Sequence, residues 1–198
     1  MTIIVTGFEP FLNNEVNPTS EVLGLLPSSI RGNDIITVRL PVEYDRCFDV
    51  LKPYIEKYNP GMIVLLGLAP TRKNICIERV ALNVSNSKYE DNSQIIKTEE
   101  KIIEDGKNAY FSTLPMTKIY NILKKKGIPV EISNTAGLYI CNNIAYHVLH
   151  HIEVNNMDIK AGLIHVPFMT KQVKDDSVNS LPLVIILEGI IDTIKATL

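Results

Sequence analysis

The chain has 198 residues, 45% of them hydrophobic and 21% charged, with a formal net charge of −2. That length builds one full-sized core and falls short of two, and the balance is that of a globular protein, not of a disordered chain. Lys and Arg alternate with Asp and Glu and leave no basic face, which speaks against nucleic acid, while three cysteines (Cys47, Cys76, Cys141) without metal-type spacing speak against a disulfide framework.

The opening Met1-Thr2-Ile3-Ile4-Val5-Thr6-Gly7 has no basic stretch ahead of its short apolar run, so it reads as a strand and not as a signal peptide. The longest apolar runs, residues 62–68 and 181–187, are far below the roughly 20 residues that span a bilayer. The expectation is a cytoplasmic protein with no membrane partner.

In chain order, residues 3–6 read as a strand buried on both faces and ended by Gly7. Asn17-Pro18-Thr19-Ser20 opens a helix to about Leu26, with Pro18 tolerated in the first turn. Residues 35–40 form a second strand. Residues 43–58 are amphipathic, with Cys47, Val50, Leu51, Tyr54 and Ile55 at helical spacing, and Pro53 is expected to kink or divide the helix. Residues 62–66 are another buried strand, stopped by Gly67. Period-two alternation over residues 75–82 predicts one extended strand. Residues 84–108 are polar, and a loop of that length in a compact domain is usually functional or mobile.

A helix over residues 116–125 is closed by Lys124-Lys125-Lys126 and Gly127, the lysines reading as a solvated helix end. A short strand at residues 130–132 leads into Ser133-Asn134-Thr135-Ala136-Gly137-Leu138-Tyr139-Ile140-Cys141-Asn142-Asn143. Residues 141–155 are a helix, 161–166 a strand, and 180–197 a last helix with Ser180 as cap. Strands and helices alternate throughout. That predicts a single α/β domain, an open α/β/α sandwich on a mainly parallel sheet. Ligands of such sheets lie at the carboxyl ends of strands, where Gly7, Gly67, Gly137 and His165 bring distant loops together.

Cys141 falls in the first turn of its helix. Partial positive charge and free N–H groups favour an anion there, and the thiolate is the form of cysteine that attacks carbonyl carbon. Of the four histidines, only His165 stands at a strand end. His147 begins roughly 9 Å along the helix axis from Cys141 and points elsewhere. Glu78 lies among apolar neighbours, where an ionised carboxylate is costly unless paired, and Arg79 next to it faces the other way. Each has a plainer reading as well. Cys47 and Cys76 read as small core residues, and a lone Cys141 can be the same; a lone strand-end His165 can be structural, and Glu78 can simply pair with a neighbouring helix. His147 and His151 have zinc-helix spacing, but no acid stands beside His147 and no third ligand is evident, so no metal is expected.

Four separated segments together resemble the pyroglutamyl peptidase I family, cysteine peptidases that remove N-terminal pyroglutamate. They are Gly7-Phe8-Glu9-Pro10-Phe11 with Asn17-Pro18; Glu78-Arg79-Val80-Ala81-Leu82-Asn83; Asn134 to Asn142 around the cysteine; and Ile164-His165-Val166-Pro167. The resemblance spans nearly the whole chain, taken as one catalytic domain over residues 1–198. It implies a Cys141–His165–Glu78 triad, no cofactor, and a homotetramer acting on peptides with N-terminal pyroglutamate. It also implies Phe8 and Phe11 as walls of the lactam pocket, with Leu68, Lys88, Tyr139 and Ile140 around it. A pocket without fixed charge suits that small, flat, uncharged ring and strands an ordinary N-terminal ammonium unpaired.

Two departures stand out. Where the family has glutamine and a glycine-rich run after Gly67, this chain has Leu68-Ala69-Pro70-Thr71-Arg72. A basic position usually held by arginine is Lys88, which keeps the charge and loses the fork. Rival readings are a binding-only member without turnover, a small-acyl amidase of other specificity, and a phosphorylase on a similar sandwich. The last needs a phosphate cradle, and the loop after Gly7 offers phenylalanines instead.

Overall fold

The apolar runs become strands, and the 3.6-periodic stretches pack over them. The computed structural model describes residues 1–12, 14–175 and 177–198. Its elements run β1 (Thr2–Phe8), α1 (Pro18–Leu25), β2 (Ser29–Ile30), β3 (Asn33–Leu40), α2 (Arg46–Tyr58), β4 (Met62–Leu68), β5 (Ile75–Glu78) and β6 (Val80–Leu82). They continue with β7 (Ala109–Phe111), α3 (Met116–Lys125), β8 (Val130–Ser133), α4 (Ile140–Val154), β9 (Lys160–Val166), β10 (Phe168–Met169), β11 (Ser180–Leu181) and α5 (Leu183–Thr197).

Among the described residues the main sheet has seven strands in the order β2-β3-β1-β4-β9-β5-β8. The central strands β3, β1, β4 and β9 are parallel, as expected of a sheet covered on both faces. β5 and β8 are parallel to each other but run against β9, with Cys76 opposite His165 and Ile77 opposite Ile164. α2 and α4 cover one face around Ile4, Ile63, Leu65, Ile144 and Leu163. α1, α3 and α5 cover the other around Ile3, Val64, Leu66, Ile119, Ile164 and Ile190. This is the open α/β/α sandwich.

Four local expectations need correction. Residues 75–82 are two strands: β5 belongs to the main sheet, whereas β6 pairs with β7 in a separate two-stranded ribbon. The chain changes sheet at Arg79, whose N–H donates to Ser133 O while its carbonyl accepts from Ser112 N–H. Each half keeps period two, so alternation alone does not reveal the break. Glu78 therefore ends a strand instead of standing mid-strand. Pro53 does not divide α2, because it lies on the exposed face where water can satisfy the carbonyl it frees. α5 starts at Leu183: Pro182 blocks helix before it, and Ser180 and Leu181 pair with Phe168 and Met169.

Gly7 and Gly67 end nothing; both lie inside strands. They are places of close approach. A Cβ on Gly7 would stand 2.7 Å from Thr19 O of α1, so the missing side chain lets that helix settle against β1.

Candidate active site

The carboxyl ends of β1, β3, β4 and β9 bring their last residues to the start of α4. Phe8 ends β1, Val42 follows β3, and Leu68 ends β4. The chain enters α4 through Tyr139 as N-cap, followed by Ile140 and Cys141. Phe8, Phe11, Asn17, Val42, Leu68, Tyr139, Ile140 and Cys141 line a small open pocket.

The pocket walls are braced by polar groups. Asn17 caps α1 by accepting from Thr19 N–H at 3.1 Å, and its Nδ2 donates to Glu9 O at 3.0 Å. Thr19 Oγ1 accepts from Phe8 N–H at 2.8 Å. Those bonds fix the turn that carries the two phenylalanines. The Tyr139 ring meets Tyr44 edge-on at 5.6 Å and Phe11 at 6.5 Å, and its hydroxyl donates to Glu90 O at 2.8 Å. Apart from the Cys141 thiol, the pocket lining among the described residues has no Asp, Glu, Lys, Arg or His side chain.

The start of α4 is held from three sides. Asn142 Oδ1 accepts from Leu82 N–H, and Asn142 Nδ2 donates to Leu82 O and Val84 O, all at 2.9 Å. Asn143 Nδ2 donates to Asp45 Oδ1 at 3.1 Å, and Asn143 Oδ1 accepts from Asp45 N–H at 3.3 Å. Hydrogen bonding to His147, followed by contacts with Lys97 and Asn143, holds the Asp45 carboxyl well below the usual carboxylate range. Asp91 ties the long loop down, accepting from Tyr44, Ser93 and Ile95 N–H. The segment 84–108 is thus tied to Tyr44, Tyr139 and Asn142, behind the residues that line the pocket. No side chain caps α4. Asn142 and Asn143 N–H both donate to Tyr139 O. The N–H groups of Ile140 and Cys141 find no acceptor among the described residues, and they lie at the positive end of the helix.

Cys141 and His165 converge over Gly67. His165 pairs with Gly67 across β4 and β9. A Cβ on Gly67 would stand 2.7 Å from Cys141 Sγ and 3.1 Å from His165 Nε2. The absence of a side chain there opens the space in which thiol and imidazole meet. The other ring nitrogen, Nδ1, is 2.8 Å from Glu78 Oε1. Because Cys76 pairs with His165, Glu78 is the diagonal neighbour two residues on and shares its face. Both groups are buried, with side-chain exposures of 5% for His165 and 1% for Glu78. Burial works against a charged His165. A negative charge on the Cys141 sulfur and the hydrogen-bonded Glu78 carboxylate outweigh it, and the His165 pKa rises to about 9.

The other thiols are different. Cys47 and Cys76 are fully buried, and burial pushes both thiols far up. For Cys76 the Glu131 carboxylate, 3.1 Å from Sγ, adds to that. Cys141 keeps partial exposure.

The family model described as pyroglutamyl peptidase matches residues 1–198. The chain belongs to the pyroglutamyl peptidase family. A pyrrolidone-carboxylate peptidase of Thermococcus kodakarensis is 42% identical over 195 residues, 98% of this chain and 95% of that protein. Another from Thermosipho melanesiensis is 39% identical over 199 residues, covering 100% of this chain and 98% of its own. The solved pyrrolidone carboxyl peptidase of Thermococcus litoralis has a TM-score of 0.95 at 34% identity, over 99% of this chain and 92% of its own. The pyroglutamyl peptidase I of Bacillus amyloliquefaciens also has a TM-score of 0.95, at 30% identity, over 99% of this chain and 96% of its own.

The structure brings together Glu78, His165 and Cys141, and Phe8, Phe11, Leu68, Tyr139 and Ile140 beside them. It does not bring Lys88 into the pocket. Lys88 is exposed, its ammonium 5.3 Å from the centre of the Tyr89 ring. His147 serves elsewhere: Nε2 meets Asp45 Oδ1 at 3.1 Å, and the ring stacks on Phe48 at 5.0 Å. The sequence reading missed Val42 and Asn17 as pocket walls. Asn17 is legible as a helix opener and as part of the N-terminal segment of the resemblance, but not as a wall, and Val42 carries no local signal beyond following a strand. Among the described residues no group of three or more His, Cys, Asp or Glu is arranged to hold a metal ion, and no helix is long and apolar enough to cross a membrane.

Proposed function

We propose that this member of the pyroglutamyl peptidase family removes N-terminal pyroglutamate from peptides through a thioester on Cys141, with His165 as acid and base and Glu78 orienting it. The whole chain, residues 1–198, acts as one catalytic unit. The observation that carries the reading is the meeting of Cys141 Sγ and His165 Nε2 over Gly67, beside an uncharged pocket at a helix start.

The cycle begins with the pyroglutamyl ring in the pocket, between the aromatic side chains of Phe8, Phe11 and Tyr139. With Nδ1–H donating to Glu78, His165 presents Nε2 to the thiol and takes its proton. The thiolate attacks the carbonyl carbon that joins pyroglutamate to the next residue. The carbonyl oxygen becomes an oxyanion, and the uncommitted N–H groups of Ile140 and Cys141 are the donors for it. As the C–N bond breaks, His165 gives its proton to the leaving amine, and the shortened peptide departs. Water, deprotonated by His165, then attacks the thioester. Pyroglutamate leaves, and the proton returns to the sulfur. The raised His165 pKa suits this work, because the imidazolium persists at neutral pH while it is paired with the thiolate.

Specificity follows from the lining. Glutamate or any residue with a free α-amino group would bring an ammonium into a pocket whose lining offers it no carboxylate. Wild-type enzyme assayed on fluorogenic amides tests this: the pyroglutamyl amide is turned over, and the prolyl and glutamyl amides are not. Turnover of the glutamyl amide at a comparable rate refutes the specificity.

The chain works as a homotetramer in the cytoplasm. Exposed apolar side chains (Phe111 at 67%, Val184 at 65%, Leu25 at 54%) support burial between subunits, and three unpaired cysteines suit a reducing compartment. Sedimentation equilibrium tests the assembly: a monomer mass would refute it.

A further inference from the structure

Arg72 belongs to the loop after β4, in the stretch that departs from the family's glycine-rich run. Its side chain is 30% exposed, yet its guanidinium is committed on several sides. Nη2 donates to Ser133 Oγ at 2.9 Å and to Thr135 O at 3.0 Å. Nη1 donates to Glu131 Oε1 at 3.4 Å. Nη2 is also 3.9 Å from Glu78 Oε1, the oxygen that His165 uses. Arg72 and His165 are the two cationic side chains within ion-pair distance of Glu78 among the described residues.

Two structural duties meet in that one side chain. Ser133 and Thr135 belong to the turn that leads into α4, where Thr135 N–H donates to Ser133 Oγ and Gly137 N–H to Thr135 Oγ1. Gly137 has a φ of +73°, so the turn has a backbone shape that needs fixing. Two residues past the tip of that turn comes Tyr139, and then Cys141. On its other side the guanidinium faces the Glu78 carboxylate, whose Oε2 has no hydrogen-bond partner among the described residues. A buried carboxylate with one free oxygen depends strongly on nearby positive charge.

We infer that Arg72 is a positioning residue for the peptidase reaction: its fork joins the carboxylate that orients His165 to the turn that delivers Cys141. The inference rests on the Cys141–His165–Glu78 reading. It makes the loop after β4 part of the catalytic support, next to Leu68, the strand's last residue, which lines the pocket. Lysine cannot replace it fully, since one ammonium cannot reach a hydroxyl, a carbonyl and a carboxylate in one plane.

The groups facing Glu78 are His165 from β9, Arg72 from the loop, Ser133 from β8 and Cys76 on its own strand. Glu131 stands on the far side of Arg72, and Cys141 acts through His165. Of these, Arg72 is the charge that favours the carboxylate without joining the proton transfers. Removing it moves the acidic limb of the rate profile to higher pH.

The test compares wild type, Arg72→Met, Arg72→Lys and Cys141→Ala on a fluorogenic pyroglutamyl amide, with kcat and KM taken from about pH 5 to 10 and a thermal melt for each. In Arg72→Met, kcat falls at least about tenfold with KM within about twofold, and the acidic limb moves up by about one pH unit. Arg72→Lys brings the limb back and recovers only part of kcat. Three results overturn the inference: a wild-type profile and kcat in Arg72→Met while Cys141→Ala is inactive; a rise in KM with kcat unchanged; or a limb in Arg72→Lys that stays where Arg72→Met puts it. If Arg72→Met does not fold, the Arg72→Lys profile decides, because a lysine variant with both wild-type kcat and a wild-type limb also overturns it. Turnover by Cys141→Ala instead removes the triad reading beneath the inference, a separate and recognisable failure.

Discussion

Replacing Gly67 with alanine tests the meeting of thiol and imidazole with a single methyl group. The new Cβ would stand 2.7 Å from Cys141 Sγ, 2.9 Å from His165 Cδ2 and 3.1 Å from His165 Nε2. Non-bonded heavy atoms settle at about 3.5–4.0 Å, so the sulfur has to retreat by roughly 1 Å. Neither partner gives way easily. His165 is held by Glu78 at 2.8 Å, and Cys141 sits on a helix start clamped by Asn142 and Asn143. A displacement of that size at the reacting atoms costs about a hundredfold in kcat, or about 2.7 kcal/mol of transition-state stabilisation. Overpacking costs about 1–3 kcal/mol of fold stability as well, with Tm falling by about 3 °C for each kcal/mol. Activity on a fluorogenic pyroglutamyl amide and a thermal melt measure the two effects. Gly24→Ala is the control, because nothing lies within 4 Å of its Cβ position and alanine favours helix α1. A folded Gly67→Ala enzyme with wild-type kcat would refute the reasoning, since Sγ and Nε2 would then not need the space that glycine leaves.

Glu78→Gln keeps the shape and removes the charge: kcat falls at least about a hundredfold, and the alkaline limb of kcat/KM drops from near pH 9 toward neutrality as His165 loses its support. His165 holds its proton more tightly folded than unfolded, so its stabilisation is complete below about pH 6.5 and is lost as pH rises through about 9. Wild-type Tm therefore declines over that window and declines less in Glu78→Gln; equal slopes contradict the ion pair. Iodoacetamide on the native protein labels Cys141 alone, because Cys47 and Cys76 are 0% exposed and burial disfavours their thiolates; peptide mapping that finds label on either one goes against the site as described. Phe11→Ala removes one aromatic wall and raises KM about tenfold with a smaller change in kcat, and an unchanged KM takes Phe11 out of the pocket.

Much of this was legible in the chain itself. Buried strands and amphipathic helices announced the sandwich, and Cys141 at a helix start and His165 at a strand end pointed to one crevice. The misreadings share a cause: local patterns do not encode which distant backbone comes near. Gly7 and Gly67 look like stops, yet each is glycine because Thr19 O or Cys141 Sγ approaches it. Alternation over residues 75–82 is real, but the change of sheet at Arg79 depends on Ser133 and Ser112, far along the chain. Pro53 sits inside a helix because its face happens to meet water. Arg72 lay inside a stretch notable only for departing from the family pattern, and its importance shows only once Glu78, Ser133 and Thr135 surround it. Lys88 stands out through the resemblance, at a position where the family usually has arginine, and the fold turns it to solvent.

The central claim is that Cys141 is the nucleophile and His165 its base. Turnover of a fluorogenic pyroglutamyl amide by wild type, Cys141→Ala and His165→Ala, each shown to be folded by its thermal melt, tests that claim most directly. The account predicts steady turnover by wild type and none above background in either variant, whereas a folded Cys141→Ala enzyme that still releases the fluorophore would contradict it.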